Sequence, residues 1–296
     1  MSEGIAMTKA ICVSDCKNKL GEVPVWDPQD QALYWVDIEG STLHRLIPET
    51  GETTRWTFPE RVTAFGLRQK SGFILALASA IALFEPETGV IERKAAPEGR
   101  HPGNRLNDGK CDRQGRFWVG AMDESQTKGC AGLYRYDPDG QCHQMETGIG
   151  VSNSLAWSPD DKTFYFADSM RKLIYAYDFD ALAGAISNRR VFSDWSARQG
   201  TPDGSTVDAE GFLWNAVWDG WCLVRYAPDG RIDRVVELPV QKPTSCAFGG
   251  PDLTTLYVTS AIFDASPDEL AKQPQAGGVF ALNVGVRGLP EPRFAG

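Results

Sequence analysis

Four residues that could hold a cation or move a proton recur at matched places in this sequence: Glu22, Asn107, Asn153 and Asp203. With Thr63 and Thr244 they make a set of six. Each stands five residues before the one that opens a turn, namely Asp27, Arg68, Asp112, Ser158, Asp208 and Gly249. All six carry oxygen and none is aliphatic. Carboxylates gathered away from water cost free energy unless a positive charge neutralises them. Oxygen donors suit hard divalent cations, Ca²⁺, Mg²⁺ or Mn²⁺, and a Glu/Asn/Asp set completed by water also admits Zn²⁺ or Fe²⁺. The plainer reading is a water-filled polar channel. Against it, Glu22 lies in Leu20-Gly-Glu-Val-Pro-Val-Trp26, Asn153 in Gly150-Val-Ser-Asn-Ser154 and Asp203 in Thr201-Pro-Asp-Gly204, where small residues or proline admit a ligand and stiffen the chain. Thr63 and Thr244, neutral hydroxyls, are assigned to packing or water contact.

The elements that must position these residues are short strands. Runs rich in aromatic and branched residues begin at Leu33, Phe73, Phe117, Phe164, Leu213 and Leu256, spaced by 40, 44, 47, 49 and 43 residues. This is the period of four-stranded propeller blades, repeated six times. Turns such as Asp112-Arg-Gln-Gly and Asp208-Ala-Glu-Gly precede the runs, and hairpins around Asp-Pro-Asp-Gly140 and Ala-Pro-Asp-Gly230 follow them. The expected fold is all-β: one six-bladed β-propeller over residues 1–296, its innermost strands bringing the six residues around a central channel. If the ring closes by pairing chain ends, a leading strand near Lys9 to Ser14 joins the last blade beside Gly278 to Val284. Ser266-Pro-Asp-Glu269 predicts a short capped helix, and Asp180 to Ile186 another helical turn or two.

The same segments, with Arg105-Leu-Asn-Asp-Gly-Lys-Cys-Asp112, Gly211-Phe-Leu-Trp214, Thr244-Ser-Cys-Ala-Phe-Gly-Gly250 and Gln275-Ala-Gly-Gly-Val-Phe280, resemble the regucalcin/gluconolactonase family from about Leu20 to Phe280. The resemblance implies a six-bladed propeller that hydrolyses sugar lactones with one divalent metal on its axis. It makes Glu22, Asn153 and Asp203 the metal ligands, Asp203 the general base, and Arg105 and Asn107 contacts to substrate. Two positions depart from the family pattern. Ser154 stands where glycine is common, and a substrate-contacting glutamate falls at Asp123-Glu-Ser125, aligned with Ser125 and adjacent to Glu124, the carboxylate expected to serve.

The expected partner is a small sugar lactone and the expected activity its hydrolysis to the aldonic acid. A calcium-binding regulator without important turnover, and an esterase acting on another lactone or a phosphate ester, are the alternatives. Neither Gly-x-Ser-x-Gly nor His-Glu-x-x-His is present, which argues against serine-esterase and zincin routes. A formal charge of −9 argues against nucleic acid or anionic membrane as partner. Met1 to Ala10 lacks a signal-peptide core and no apolar run is long enough to span a bilayer, so a cytoplasmic protein is expected.

The seven cysteines, without a Cys-x-x-Cys pair, are expected to be reduced and to fill apolar holes. His44 and His143 are expected at the surface and His101 in a solvated loop. Trp26, Trp35, Trp118, Trp157 and Trp214 read as blade packing, whereas Trp218 and Trp221 could overhang a pocket. Asp37 and Asp168 read as turn caps, and Arg171-Lys172 as a solvated face.

Overall fold

The structure, a computed structural model, describes residues 9–296. They form six four-stranded antiparallel sheets, the six blades of a β-propeller. The inner strands are Gly21–Asp27, Val62–Leu67, Asn104–Cys111, Ser152–Trp157, Thr201–Val207 and Pro243–Gly249 in blades 1 to 6. Ring closure is as expected: Ile11–Ser14 pairs with Val279–Asn283, Ile11 opposite Ala281 and Cys12 opposite Phe280. Blade 6 is therefore built from both chain ends. The absence of a leader core in Met1 to Ala10 concerns residues that lie mostly outside the described ones.

Burial falls from the axis outward. In blade 1 the two inner strands are wholly buried, whereas the outermost, Glu52–Thr57, is mostly exposed. The two strands nearest the axis are covered on both faces by neighbouring blades, so second strands such as Phe73–Leu77 read as continuous apolar runs. Aromatic rings bridge the blades, as expected for the tryptophans. Trp118 meets Trp157 at 5.9 Å, Trp214 meets Phe248 at 6.3 Å and Trp26 stacks on Tyr257 at 5.8 Å. The turn aspartates fasten these rings: the indoles of Trp118 and Trp214 donate to Asp112 and Asp208, each at 2.9 Å. Each aspartate also accepts two backbone N–H groups of its own turn. Asp37 and Asp168 cap in the same way, accepting from Leu20 and Val151 at the entries to the blade 1 and blade 4 inner strands. Arg171, though exposed, pairs with Asp168.

Pro267–Lys272 is the expected helix, with Ser266 and Glu269 forming a capping box. Three expectations need correction. Asp180 to Ile186 is not helical but a hairpin turn between Leu173–Asp180 and Ala185–Asp194. The Asp180 carboxylate accepts from Ala183, and Gly184 takes the left-handed φ of 63° that closes the turn. His44 is half-buried, stacked on Trp35 at 5.0 Å; burial lowers its pKa to about 4. His143 and His101 are exposed, as expected. All seven cysteines are free, but only Cys111, Cys222 and Cys246 are buried; Cys16, Cys130 and Cys142 face solvent. Within the described residues no helix is long and apolar enough to cross a membrane.

The chain beyond Val284 lies across the C-terminal ends of the inner strands. Its backbone bonds to Leu253, Ala209, Leu67 and Gly115, in blades 6, 5, 2 and 3. Phe294 is 1% exposed and stacks on Tyr136, and Glu291 meets Lys110 of blade 3 at 3.3 Å. This strap covers the end of the ring opposite the cavity described next.

Candidate metal centre and substrate cavity

All six inner strands slip register at the residue singled out by the repeat. The shifts fall between Glu22 and Val25, Val62 and Ala64, Leu106 and Gly109, Asn153 and Ala156, Pro202 and Ser205, and Pro243 and Ser245. A bulge of this kind re-aims a side chain out of the ladder. Val23 and Ser154, which follow Glu22 and Asn153, have φ of 48° and 63°. A β-branched residue in that region is strained, and strain held by surrounding structure gathers at functional sites. After Asp203 comes Gly204, where an added Cβ would lie 2.2 Å from Ser245 Oγ, so only glycine lets blades 5 and 6 approach there.

Glu22, Asn107, Asn153 and Asp203 line one cavity of about 540 Å³ at the N-terminal ends of the inner strands, together with Arg105 and Glu124. Thr63 and Thr244 do not line it. Their hydroxyls donate to the carbonyls of Ala76 and Gly21, the packing role expected.

Glu22 and Asp203 are 8% and 5% exposed. Among the described residues no lysine or arginine forms an ion pair with either. Burial, reinforced by Asp108, pushes Glu22 up to about 8. Burial and the Glu22 charge push Asp203 well above the usual carboxylate range. Burial dominates both shifts, and the Arg105 charge offsets only part of it at Glu22.

The carboxamides are held in order. Asn107 Nδ2 donates to Asn153 Oδ1 at 3.2 Å and to the Ser152 carbonyl at 2.8 Å. Asn153 Nδ2 donates to Ser169 Oγ at 2.9 Å, which fixes the orientation of that amide and leaves Oδ1, already accepting from Asn107, one further lone pair. Two underneutralised carboxylates and an oriented amide oxygen fit a divalent cation with oxygen preference. No group of three or more His, Cys, Asp or Glu residues among the described ones could hold a metal, so the carboxamide is a necessary member of such a set. Ser154 binds blade 4 to blade 5, its hydroxyl donating to the Asp203 carbonyl and accepting from Asn215 at 2.9 Å.

At the mouth, Arg105 Nη1 donates to Asn107 Oδ1 at 2.6 Å, and its Nε lies 3.6 Å from Glu124. Burial and the neighbouring Arg61 lower Arg105 to about 10. Glu124 pairs with Arg61, which also meets Glu39 at 3.2 Å. Sequence reasoning passed over Arg61, Glu39 and Ser169, all of which line the cavity. For Arg61 a signal existed: it precedes Thr63 by two residues, as Arg105 precedes Asn107, and a strand repeats its facing every two residues. Trp218 lines the cavity as foreseen; Trp221 and His101 are not among its lining residues.

Fold and site together define a six-bladed propeller with an oxygen-rich axial pocket open at one end. A family model described as SMP-30/Gluconolactonase/LRE-like region matches residues 20–262, and the chain belongs to that family. Its relatives include the 6-deoxy-6-sulfogluconolactonase of Pseudomonas putida, 40% identical over 96% of this chain and 98% of that one. The L-arabinolactonase of Azospirillum brasilense is 38% identical over 97% and 96%. Among solved structures, a calcium-binding protein, regucalcin, of Agrobacterium tumefaciens superposes with a TM-score of 0.93 at 32% identity, covering 97% of each chain.

Proposed function

We propose that this protein hydrolyses a sugar lactone to its aldonic acid, using a divalent cation held by Glu22, Asn153 and Asp203, with residues 1–296 acting as one unit in the cytoplasm. Lactonase relatives that cover nearly the whole chain support the reaction class. The observation that carries the site is the pair of buried, underneutralised carboxylates beside an oriented amide oxygen on the cavity floor.

Bound there, a Ca²⁺, Zn²⁺, Mn²⁺, Mg²⁺ or Fe²⁺ ion would supply the positive charge that polarises an ester carbonyl. The remaining work falls to the chain. Asp203 accepts a proton from the attacking water, the general-base role open to a carboxylate in the cavity. The water oxygen bonds to the carbonyl carbon, the ring C–O bond breaks, and the ring oxygen takes up the proton from Asp203 and leaves as a hydroxyl. Asn107 holds Arg105 by its guanidinium, so that the remaining N–H groups of Arg105 meet the substrate's oxygens at a fixed place. Glu124 accepts from substrate hydroxyls at the rim.

A pH-stat assay over a panel of aldonolactones tests this reading. Wild type turns over at least one, whereas Asp203→Asn and Glu22→Gln lose activity by at least a hundredfold and retain a β-type circular dichroism spectrum. Tight Ca²⁺ binding without turnover of any lactone would instead favour the calcium-binding regulator, a reading the regucalcin likeness keeps in view.

A further inference from the structure

The charged groups of the cavity's upper wall all fall on one side. Blades 1 to 3 carry Glu39, Arg61, Arg105 and Glu124 there, beside Leu20 and Met122. Blades 4 to 6 carry no charge above the axial set, and Val151, Met170, Trp218 and Phe263 make most of that wall, with Ser169 and Thr201. In the layer two residues before the axial set, blades 1 to 6 place Leu20, Arg61, Arg105, Val151, Thr201 and Lys242 in turn, so its two cavity-lining cations stand on adjoining blades 2 and 3.

Lys242 does not line the cavity. It is 7% exposed, its Nζ lies 4.9 Å from the Trp218 ring centroid, and it donates to the Phe263 carbonyl at 2.6 Å. A buried ammonium thus ties the Trp218 loop of blade 5 to the Phe263 loop of blade 6, and the apolar wall is a built feature. Met170 and Phe263 nevertheless remain 44% and 38% exposed. Large apolar side chains at the rim of a cavity gain free energy when a ligand covers them.

We propose that this wall is a subsite for an apolar substituent, so that the protein also hydrolyses lactones bearing an alkyl chain in place of a polyol chain. The inference rests on the lactonase reading above. The ring carbonyl lies at the axial floor, and the substituent packs on Met170, Trp218 and Phe263. The reaction balances as before: water adds its oxygen to the carbonyl carbon, the ring C–O bond breaks, and a hydroxy acid leaves.

The test uses the cation-loaded protein on a series of γ-lactones with 4-alkyl chains of one to six carbons, beside aldonolactones. In wild type kcat/KM rises about two- to fourfold with each added methylene. In the Met170→Ser, Phe263→Ser double variant, both sites being at the surface, the rise per methylene flattens toward one. A flat series in wild type, or an unchanged slope in the variant, overturns the subsite. If aldonolactones are hydrolysed and the series is flat, only this inference fails. If the alkyl series rises and no aldonolactone reacts, only the sugar-lactone reading fails. Hydrolysis of neither class overturns both.

Discussion

Asn107 of blade 3 reaches to Asn153 of the neighbouring blade 4, its Nδ2 donating to Asn153 Oδ1 at 3.2 Å. The same Asn107 accepts from Arg105 through Oδ1 at 2.6 Å. One carboxamide thus orients both the amide proposed to face the cation and the guanidinium proposed to face the substrate. Groups that orient a metal ligand are commonly worth 10- to 100-fold in metal affinity. Asn107→Ala is therefore expected to weaken cation binding by about that factor, measured by titration calorimetry. Unchanged affinity would remove Asn107 from the site's scaffold.

The carboxylates predict a stability that depends on pH when the cation is chelated. Glu22 has an ordinary pKa near 4.5 when exposed and about 8 when folded. The folded state holds a proton that the unfolded state releases, so the stabilising term is complete below pH 4.5 and is lost as pH rises through 8. The melting temperature of chelated wild type, relative to Glu22→Gln, is expected to fall from pH 5 to pH 8.5, and millimolar Ca²⁺ should restore it most at the upper end. Scanning calorimetry at several pH values decides this; a difference independent of pH would contradict it.

Ser154 occupies a left-handed conformation that glycine would adopt without strain. Its hydroxyl compensates through the Asp203 carbonyl and Asn215. Ser154→Gly removes a buried hydrogen-bonding group and is expected to destabilise by about 1–2 kcal/mol despite the easier backbone. A stabilised variant in urea denaturation would show that strain outweighs those bonds.

The strap at the opposite end predicts a change in stability without a change in chemistry. Phe294 is almost fully buried, and Phe294→Ala should cost about 3–5 kcal/mol. Cation affinity at room temperature should be retained, because the residue lies at the far end of the inner strands. An equal loss of affinity would mean that the two ends of the channel are coupled.

The fold was legible in the sequence because each blade repeats the same strand and turn chemistry. The spacing of the runs beginning at Leu33, Phe73 and their successors marks every blade, and the turn aspartates Asp27, Asp112 and Asp208 mark three of them. The six axial residues followed from that alignment. Their bulges did not, since Val23 and Ser154 are residue types that give no warning of positive φ. Arg61 was hidden in the layer above the axial set, and Glu39 and Ser169 lie just past the second strands of blades 1 and 4, beyond the runs used for the alignment. His44 looked like an outer-strand surface residue because its partner Trp35 lies across the strand pair and not beside it in sequence. The hairpin at Asp180 to Ile186 depended on Gly184 closing a turn between strands, which a local helical reading could not weigh.

The central claim is that Glu22, Asn153 and Asp203 hold a cation on which lactone hydrolysis depends. It is tested most directly by exhaustive chelation followed by stepwise readdition of a divalent cation, with aldonolactone turnover followed at each step. Activity is predicted to vanish on chelation, to return in proportion to cation up to one equivalent per chain, and not to return in Asp203→Asn. Full turnover by the chelated wild type would contradict it.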